Sequence, residues 1–198
     1  MKNKQAELLK NISDETLIVN VWLTQGIVVF AAFILGLFLF DDWASFGALF
    51  QWADVRILTI GVTAGIGIVL LDLLLMKWLP ASFYDDGGIN QRIFRSISIP
   101  HVVILSLAVA VCEELLFRGV IQTNTNLWIA SLIFALVHYR YLFNLFLFCN
   151  VTVLSFLIGL LYDYTENLLV TITAHFIIDC LLGIYMNTYR KHTRSECV

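Results

Sequence analysis

Six long apolar runs, separated by short polar breaks, dominate this chain. The first extends from Leu17 to Phe40, and the second from Val55 to Leu79, where Pro80 ends it. The third starts near Ile97 and reaches Gln122; the fourth starts at Leu127 and ends at His138 or slightly beyond. The fifth covers roughly Leu142 to Tyr162, and the sixth Leu168 to Asn187. A helix needs about 20 apolar residues to cross the hydrocarbon core of a bilayer. Inside lipid, only segments that satisfy their own backbone hydrogen bonds persist. The runs therefore predict an all-α, polytopic integral membrane bundle of about six transmembrane helices. Composition agrees: 60% of the residues are hydrophobic and 14% charged, and the mean hydropathy is +0.84. That leaves too little polar surface to coat a water-soluble globule. The runs fill the chain, so a single transmembrane domain is expected over residues 1–198, with a polar segment at 1–16. The stretch Ala81–Ser96, which contains Asp85-Asp86-Gly87-Gly88, reads as a loop.

Basic residues orient such a bundle, because Lys and Arg concentrate on the cytoplasmic side. Alternating sides from a cytoplasmic N-terminus places Lys2, Lys4, Lys10, Lys77, Arg92, Arg95, Arg140, Arg190, Lys191 and Arg194 inside, ten of the twelve. Arg56 and Arg118 fall towards the outer side, and both termini become cytoplasmic. A net charge of −3 argues against a nucleic-acid partner. The cysteines Cys112, Cys149, Cys180 and Cys197 form no CxxC pair and read as reduced small hydrophobes. Cys197 is penultimate, so the C-terminus is not a CaaX box. No signal-peptide pattern precedes the first run.

An ionisable side chain in the hydrocarbon region costs about 2.5–3.5 kcal/mol on insertion scales and is a functional hypothesis by default. Here the candidates are Asp72, Glu113, Glu114, Arg118, His138, His175 and Asp179. Glu114 and Arg118 are one helical turn apart, acid first, the favourable order for an ion pair. His175 and Asp179 repeat that spacing on a second helix. Phe134 and His138 repeat it on a third, where the ring can pack beside the imidazole. At 1.5 Å per residue, Glu113 lies roughly 13 Å from the outer end of its helix, His138 roughly 18 Å and His175 roughly 13 Å. Three helices thus offer ionisable groups at similar depth. Asp72 and His101 lie near helix ends and read as interfacial, His192 as solvated. Gly61-x-x-x-Gly65 suits close helix packing.

A carboxylate beside a neutral imidazole can polarise a water molecule, and a second imidazole can donate to a developing oxyanion. This is equipment for attack of water on an amide. No HExxH or GxSxG is present, so zincin and serine-elbow readings lack support.

Glu113-Glu114-Leu115-Leu116-Phe117-Arg118 resembles the EExxxR motif of the CPBP family (CAAX proteases and bacteriocin-processing enzymes, also called Abi proteins). Phe134-Ala135-Leu136-Val137-His138 resembles its FxxxH motif, and His175-Phe176-Ile177-Ile178-Asp179 its HxxxN/D motif. The three occur in family order, within a core of about residues 97–187. The resemblance implies a glutamate-type intramembrane endopeptidase related to the type II CAAX prenyl endopeptidases, with no metal and no cofactor. It implies that Glu113 is the catalytic base and that His138 helps it activate water. His175 and Asp179 would stabilise the oxyanion, with Glu114, Arg118 and Phe134 in support. An ionised Asp cannot donate a hydrogen bond, so Asp179 is either protonated or orients His175. The implied partners are membrane lipid and a hydrophobic or lipidated peptide substrate; the implied location is a bacterial plasma membrane, multi-pass. The sequence does not define an oligomeric state. Two rivals stand beside this reading: a zinc-dependent peptidase using Glu113, His138 and His175, and a non-proteolytic immunity or scaffold protein using the same pocket.

Overall fold

A computed structural model describes residues 12–195. Residues 1–11 of the polar segment, with Lys2, Lys4 and Lys10, lie outside the described residues, as do Cys197 and the side chains of Arg190, Lys191, His192 and Arg194.

The first long helix, α1 (Asp14–Leu39), starts at Ser13, whose Oγ accepts from the Thr16 amide at 3.2 Å. Asp14 and Glu15 then face the positive end of the helix dipole. A short helix, α2 (Trp43–Gly47), follows. The next long helix opens as a π-helical stretch over Ile57–Val62 and continues as α3 (Thr63–Trp78). Then come α4 (Ile89–Ser96) and α5 (Ile99–Glu114), which runs into a second π-helical stretch, Leu115–Gln122. An eleven-residue helix, α6 (Leu127–Val137), ends in a 3₁₀ turn over Tyr139–Phe143. The long helices α7 (Leu145–Thr165) and α8 (Leu168–Ser195) complete the bundle.

Among the described residues, five helical stretches are long and apolar enough to cross a membrane. Large apolar side chains on their outer faces are open: Ile27 is 69% exposed, Phe38 82% and Leu58 68%. An apolar solvent must cover that surface. The protein is a polytopic, all-helical, multi-pass membrane protein.

The fourth apolar run is shorter than a full span. Its helix stops at Val137, and His138 takes φ −83° and ψ 35°, outside helical values. The crossing is nevertheless completed. Asn144 beyond the 3₁₀ turn donates to Phe83 O at 3.0 Å, while Gln122 at the other end donates to Asp163 Oδ1 at 2.6 Å. Residues 12–14, 81–97, 138–144 and 187 share one end of the bundle: Arg92 Nη2 pairs with Asp14 Oδ1 at 2.7 Å, and Asn187 Nδ2 donates to Ile97 O at 2.9 Å. Residues 49–56, 122 and 163–168 share the other end. The described chain therefore passes between the ends six times, once by a composite of helix and 3₁₀ turn.

The supposed loop 81–96 also differs from expectation. After Gly88, which sits at φ +76°, it winds into α4. Ile89 and Ile93, one turn apart, are buried with Leu17, Val102 and Leu105, leaving Gln91, Arg92 and Arg95 on the polar face. Eight residues with only a thin apolar stripe do not register as a span.

The last helix is central. Half of the residues in its span are buried, against 11% in the first. Gly61 and Gly65 explain how it is seated. A Cβ on Gly61 would lie 2.9 Å from Val170 O, and one on Gly65 would lie 2.9 Å from Ala174 O. The small-residue face expected from Gly61-x-x-x-Gly65 thus packs within the chain, against the stretch of α8 around His175.

The start of α8 is tied through Asn167, which is fully buried, to the segment between α2 and the first π-helical stretch. Its Nδ2 donates to Gln51 O and to Asp54 Oδ2, each at 3.0 Å, and its Oδ1 accepts from the Gln51 amide at 3.2 Å. Hydrogen bonds from Arg56, then from Asn167, hold the Asp54 carboxyl down at about 2. A group depressed in the folded state stabilises above its unfolded value, and that stability fades as pH falls through the folded one. Wild type is therefore expected to lose melting temperature between about pH 4 and pH 2, and Asp54→Asn to show a smaller loss over the same range. Tryptophan fluorescence melts in nanodiscs would read this; identical pH profiles for the two proteins would refute it.

Candidate active site

The carboxylates Glu113 and Glu114 are the last two residues of α5 before its winding widens into the π-helical stretch. Such stretches are rare and frequently accompany functional sites. All residues from Leu116 to Gln122 are buried, so this end of the helix is enclosed by its neighbours. Glu114 is 0% exposed and Arg118 1%. Arg118 Nε lies 3.4 Å from Glu114 Oε2. Arg118 Nη2 donates to Ser155 O at 2.9 Å and to Ser155 Oγ at 3.1 Å on α7. Its guanidinium also lies 5.0 Å from the centre of the Phe134 ring. A buried ion pair is favoured by hydrogen bonds to its remaining capacity. Ser155 supplies part of these for Arg118 and α8 part for Glu114; Glu114 Oε2 and Arg118 Nε and Nη1 have no hydrogen-bond partner among the described residues.

The link to α8 is His175, 4% exposed. Its Nδ1 lies 2.8 Å from Glu114 Oε1. When Glu114 is ionised, as its pairing with Arg118 requires, it can only accept, so Nδ1 carries the proton. The opposite nitrogen, Nε2, faces Asp179 Oδ2 at 3.5 Å and Glu113 Oε2 at 4.0 Å. One imidazole is thus flanked by three carboxylates from two helices. They differ in access. The Glu114 side chain is sealed, whereas those of Glu113 and Asp179 are 12% and 29% exposed. Glu113 and Asp179 line the open side of the site; Glu114 is behind it.

His138 approaches from α6. Its Nδ1 is 2.8 Å from Phe134 O, a carbonyl that can only accept, so Nδ1–H donates. In the neutral ring, Nε2 is then left as an acceptor. The Phe134 ring packs against the imidazole as expected from the four-residue spacing, with centroids 4.5 Å apart. Phe134 also meets His175 edge-on at 6.5 Å and Phe117 at 4.8 Å.

The structure therefore brings Glu113, Glu114, Arg118, His175 and Asp179 into one polar cluster, with Phe134 against it. His138 stands one ring away: among the described residues no hydrogen bond or ion pair joins it to Glu113 or His175. Ser155 escapes sequence reasoning because an uncharged hydroxyl in an apolar run carries no hydropathy signal. The partner of Glu114 also differs from expectation: it binds His175 directly besides pairing with Arg118. Asp72, expected at an interface, is half-buried and lies 3.5 Å from Asn150 Nδ2 on α7. His101 accepts from Trp22 Nε1 at 3.4 Å near the start of α5. Cys112, Cys149 and Cys180 are free thiols. Among the described residues no three His, Cys, Asp or Glu side chains form a group able to hold a metal ion.

The fold and the cluster define a polytopic helical membrane protein with a buried polar site. Residues 95–181 match the family of type II CAAX prenyl endopeptidase Rce1-like proteins. Over 174 residues the chain is 50% identical to the uncharacterized protein YpbD of Bacillus subtilis (strain 168), covering 88% of this chain and 91% of that relative. The chain belongs to this Rce1-like family of proteases. No solved structure matches it.

Proposed function

We propose that this protein is an intramembrane endopeptidase of a bacterial plasma membrane, hydrolysing a peptide bond in a hydrophobic or lipid-tethered peptide with water activated by Glu113 and His138. The observation that carries the reading is the convergence of motif residues from two helices on His175, with His138 one ring away. Glu113 is the carboxylate beside the opening, while Glu114 is sealed and paired. Glu113 therefore suits the base, and Glu114 the support. A water between Glu113 and His138 would donate one hydrogen to the carboxylate and the other to His138 Nε2, sharpening its lone pair for attack on a carbonyl carbon. The proton would pass from Glu113 to the leaving amine. With Nδ1–H engaged with Glu114, His175 would stabilise the oxyanion as an imidazolium that also carries a proton on Nε2. Asp179, at 3.5 Å from that nitrogen, orients it. This role needs no proton on Asp179.

The test compares peptides in membranes bearing wild type and a Glu113→Gln variant matched for amount and melting temperature. Loss of the base is expected to lower cleavage by about 10²–10⁴-fold. Cleavage should persist after exhaustive chelation, which a zinc peptidase would not allow. Undiminished cleavage by Glu113→Gln would overturn the mechanism. A wild type that cleaves nothing would favour a scaffold or immunity role.

A further inference from the structure

His138 is held by more than its hydrogen bond to Phe134. Tyr141, in the 3₁₀ turn, stacks on the imidazole at 6.1 Å with only 10° between the planes. Phe134 contacts the same imidazole at 4.5 Å. Among the described residues no ring contact joins Phe134 to Tyr141, so the two contact the imidazole separately. Each ring also meets a cation. Arg118 lies over Phe134 at 5.0 Å, and Arg140 over Tyr141 at 4.8 Å. Five planar groups thus form one chain of contacts, with His138 between the two aromatic rings in that order. Offset stacking at such spacings is favourable.

The two rings differ in what secures them. Phe134 is 2% exposed and built into the core. Tyr141 is secured from another segment. Its hydroxyl accepts from Asn90 Nδ2 at 3.0 Å and from Arg140 Nη2 at 2.7 Å. Arg140 Nη2 donates also to Asn90 Oδ1 at 2.8 Å and lies 3.7 Å from Asp86 Oδ2. Asp86 in turn caps the first turn of α4, accepting from the Gly88 amide at 2.9 Å and the Asn90 amide at 3.0 Å. One polar network therefore joins the start of α4 to the ring against His138.

A single hydrogen bond fixes which nitrogen of an imidazole carries the proton. That bond lasts only while the ring keeps its place: an imidazole that swings about its side-chain torsions breaks it and averages its tautomers. Two separate ring contacts restrict that freedom. We infer that Tyr141 is a positioning residue for His138, latched through Asn90, Arg140 and Asp86, so that the seating of α4 sets the aim of His138 Nε2. The inference rests on the proposed role of His138 for its catalytic consequence, but its geometry can be tested without any substrate.

The chain has four histidines, few enough for ring-¹⁵N labelling of the full protein in nanodiscs, with His138→Gln and His175→Gln spectra for assignment. With a neutral ring, wild type is expected to give separate His138 signals for a protonated Nδ1 and an unprotonated Nε2. Tyr141→Leu and Asn90→Ala are each expected to collapse that pair towards an exchange average, leaving His175 unchanged. Tyr141→Phe, which keeps the ring but removes the hydroxyl that Asn90 and Arg140 hold, is expected to behave like Asn90→Ala. On a peptide cleaved by wild type, Tyr141→Leu should lower kcat by about 10–100-fold with KM within about twofold. A His138 pair that stays separate in both Tyr141→Leu and Asn90→Ala overturns the inference. If Tyr141→Leu does not fold, Asn90→Ala decides alone, since Asn90 lies outside the cluster. The spectra stand whether or not wild type cleaves a peptide, so failure of the latch and failure of the protease reading remain distinct.

Discussion

Arg118→Met is expected to destabilise the bundle by about 3–5 kcal/mol and to abolish cleavage. The reason is what it leaves behind. Arg118 is 1% exposed and faces Glu114 at 3.4 Å. Removing the cation strands a fully buried carboxylate whose remaining hydrogen bond comes from His175. Removing both charges is a different experiment. In Arg118→Met combined with Glu114→Gln, no buried charge is left unpaired, and the amide oxygen of Gln still accepts from His175 Nδ1. The double variant is expected to regain most of the stability. Melting temperature and resistance to proteolysis in matched nanodiscs would measure both. If the single and double variants were equally stable, the pair would have no stabilising role. If the double variant cleaved at the wild-type rate, the pair would have no catalytic one.

The second large effect is expected at Gly65. A Cβ there would lie 2.9 Å from both Ala174 O and Ile177 Cβ. Neither is the free end of a flexible side chain, so the helices must separate. Gly65→Val is expected to cost about 1–3 kcal/mol by overpacking. It is also expected to lower cleavage by about 10²-fold, because the residues pushed away flank His175 and displacements near 1 Å are enough for such losses. Gly67 supplies the control. It is two residues on, and a Cβ there meets nothing within 4 Å. Gly67→Val should leave both readings close to wild type. Equal behaviour of the two variants would show that close packing at Gly65 does not govern the site.

Much of this arrangement is legible before any coordinates. Hydropathy alone yields the crossings, because lipid allows few alternatives to long apolar helices. The four-residue spacings Glu114–Arg118, Phe134–His138 and His175–Asp179 lie within single helices, and each pair meets as expected. What crosses between helices is less legible. The bond from His175 Nδ1 to Glu114 depends on how α8 sits against α5, and that seating depends on glycines of another helix. The π-helical stretch from Leu115 is invisible to apolar periodicity, since the whole run is hydrophobic. The early end of α6 is hidden for a related reason: Tyr139, Tyr141 and Leu142 continue the apolar signal through a change of winding. Ser155 carries no charge, and α4, at eight residues, is too short to form a long apolar run.

The composite fourth crossing has a consequence for the lipid. An eleven-residue helix spans roughly 16 Å, about half of a typical hydrocarbon core. The 3₁₀ turn that finishes the passage presents Tyr139 at 63% exposure and Leu142 at 49%. Such a wall creates hydrophobic mismatch on one flank of an otherwise full-length bundle, and the bilayer answers mismatch by thinning locally. Water and headgroups would then come nearest the midplane along the face that carries His138. Under the proposed hydrolysis, a thinner layer of oil on that flank would shorten the path of water to the buried site.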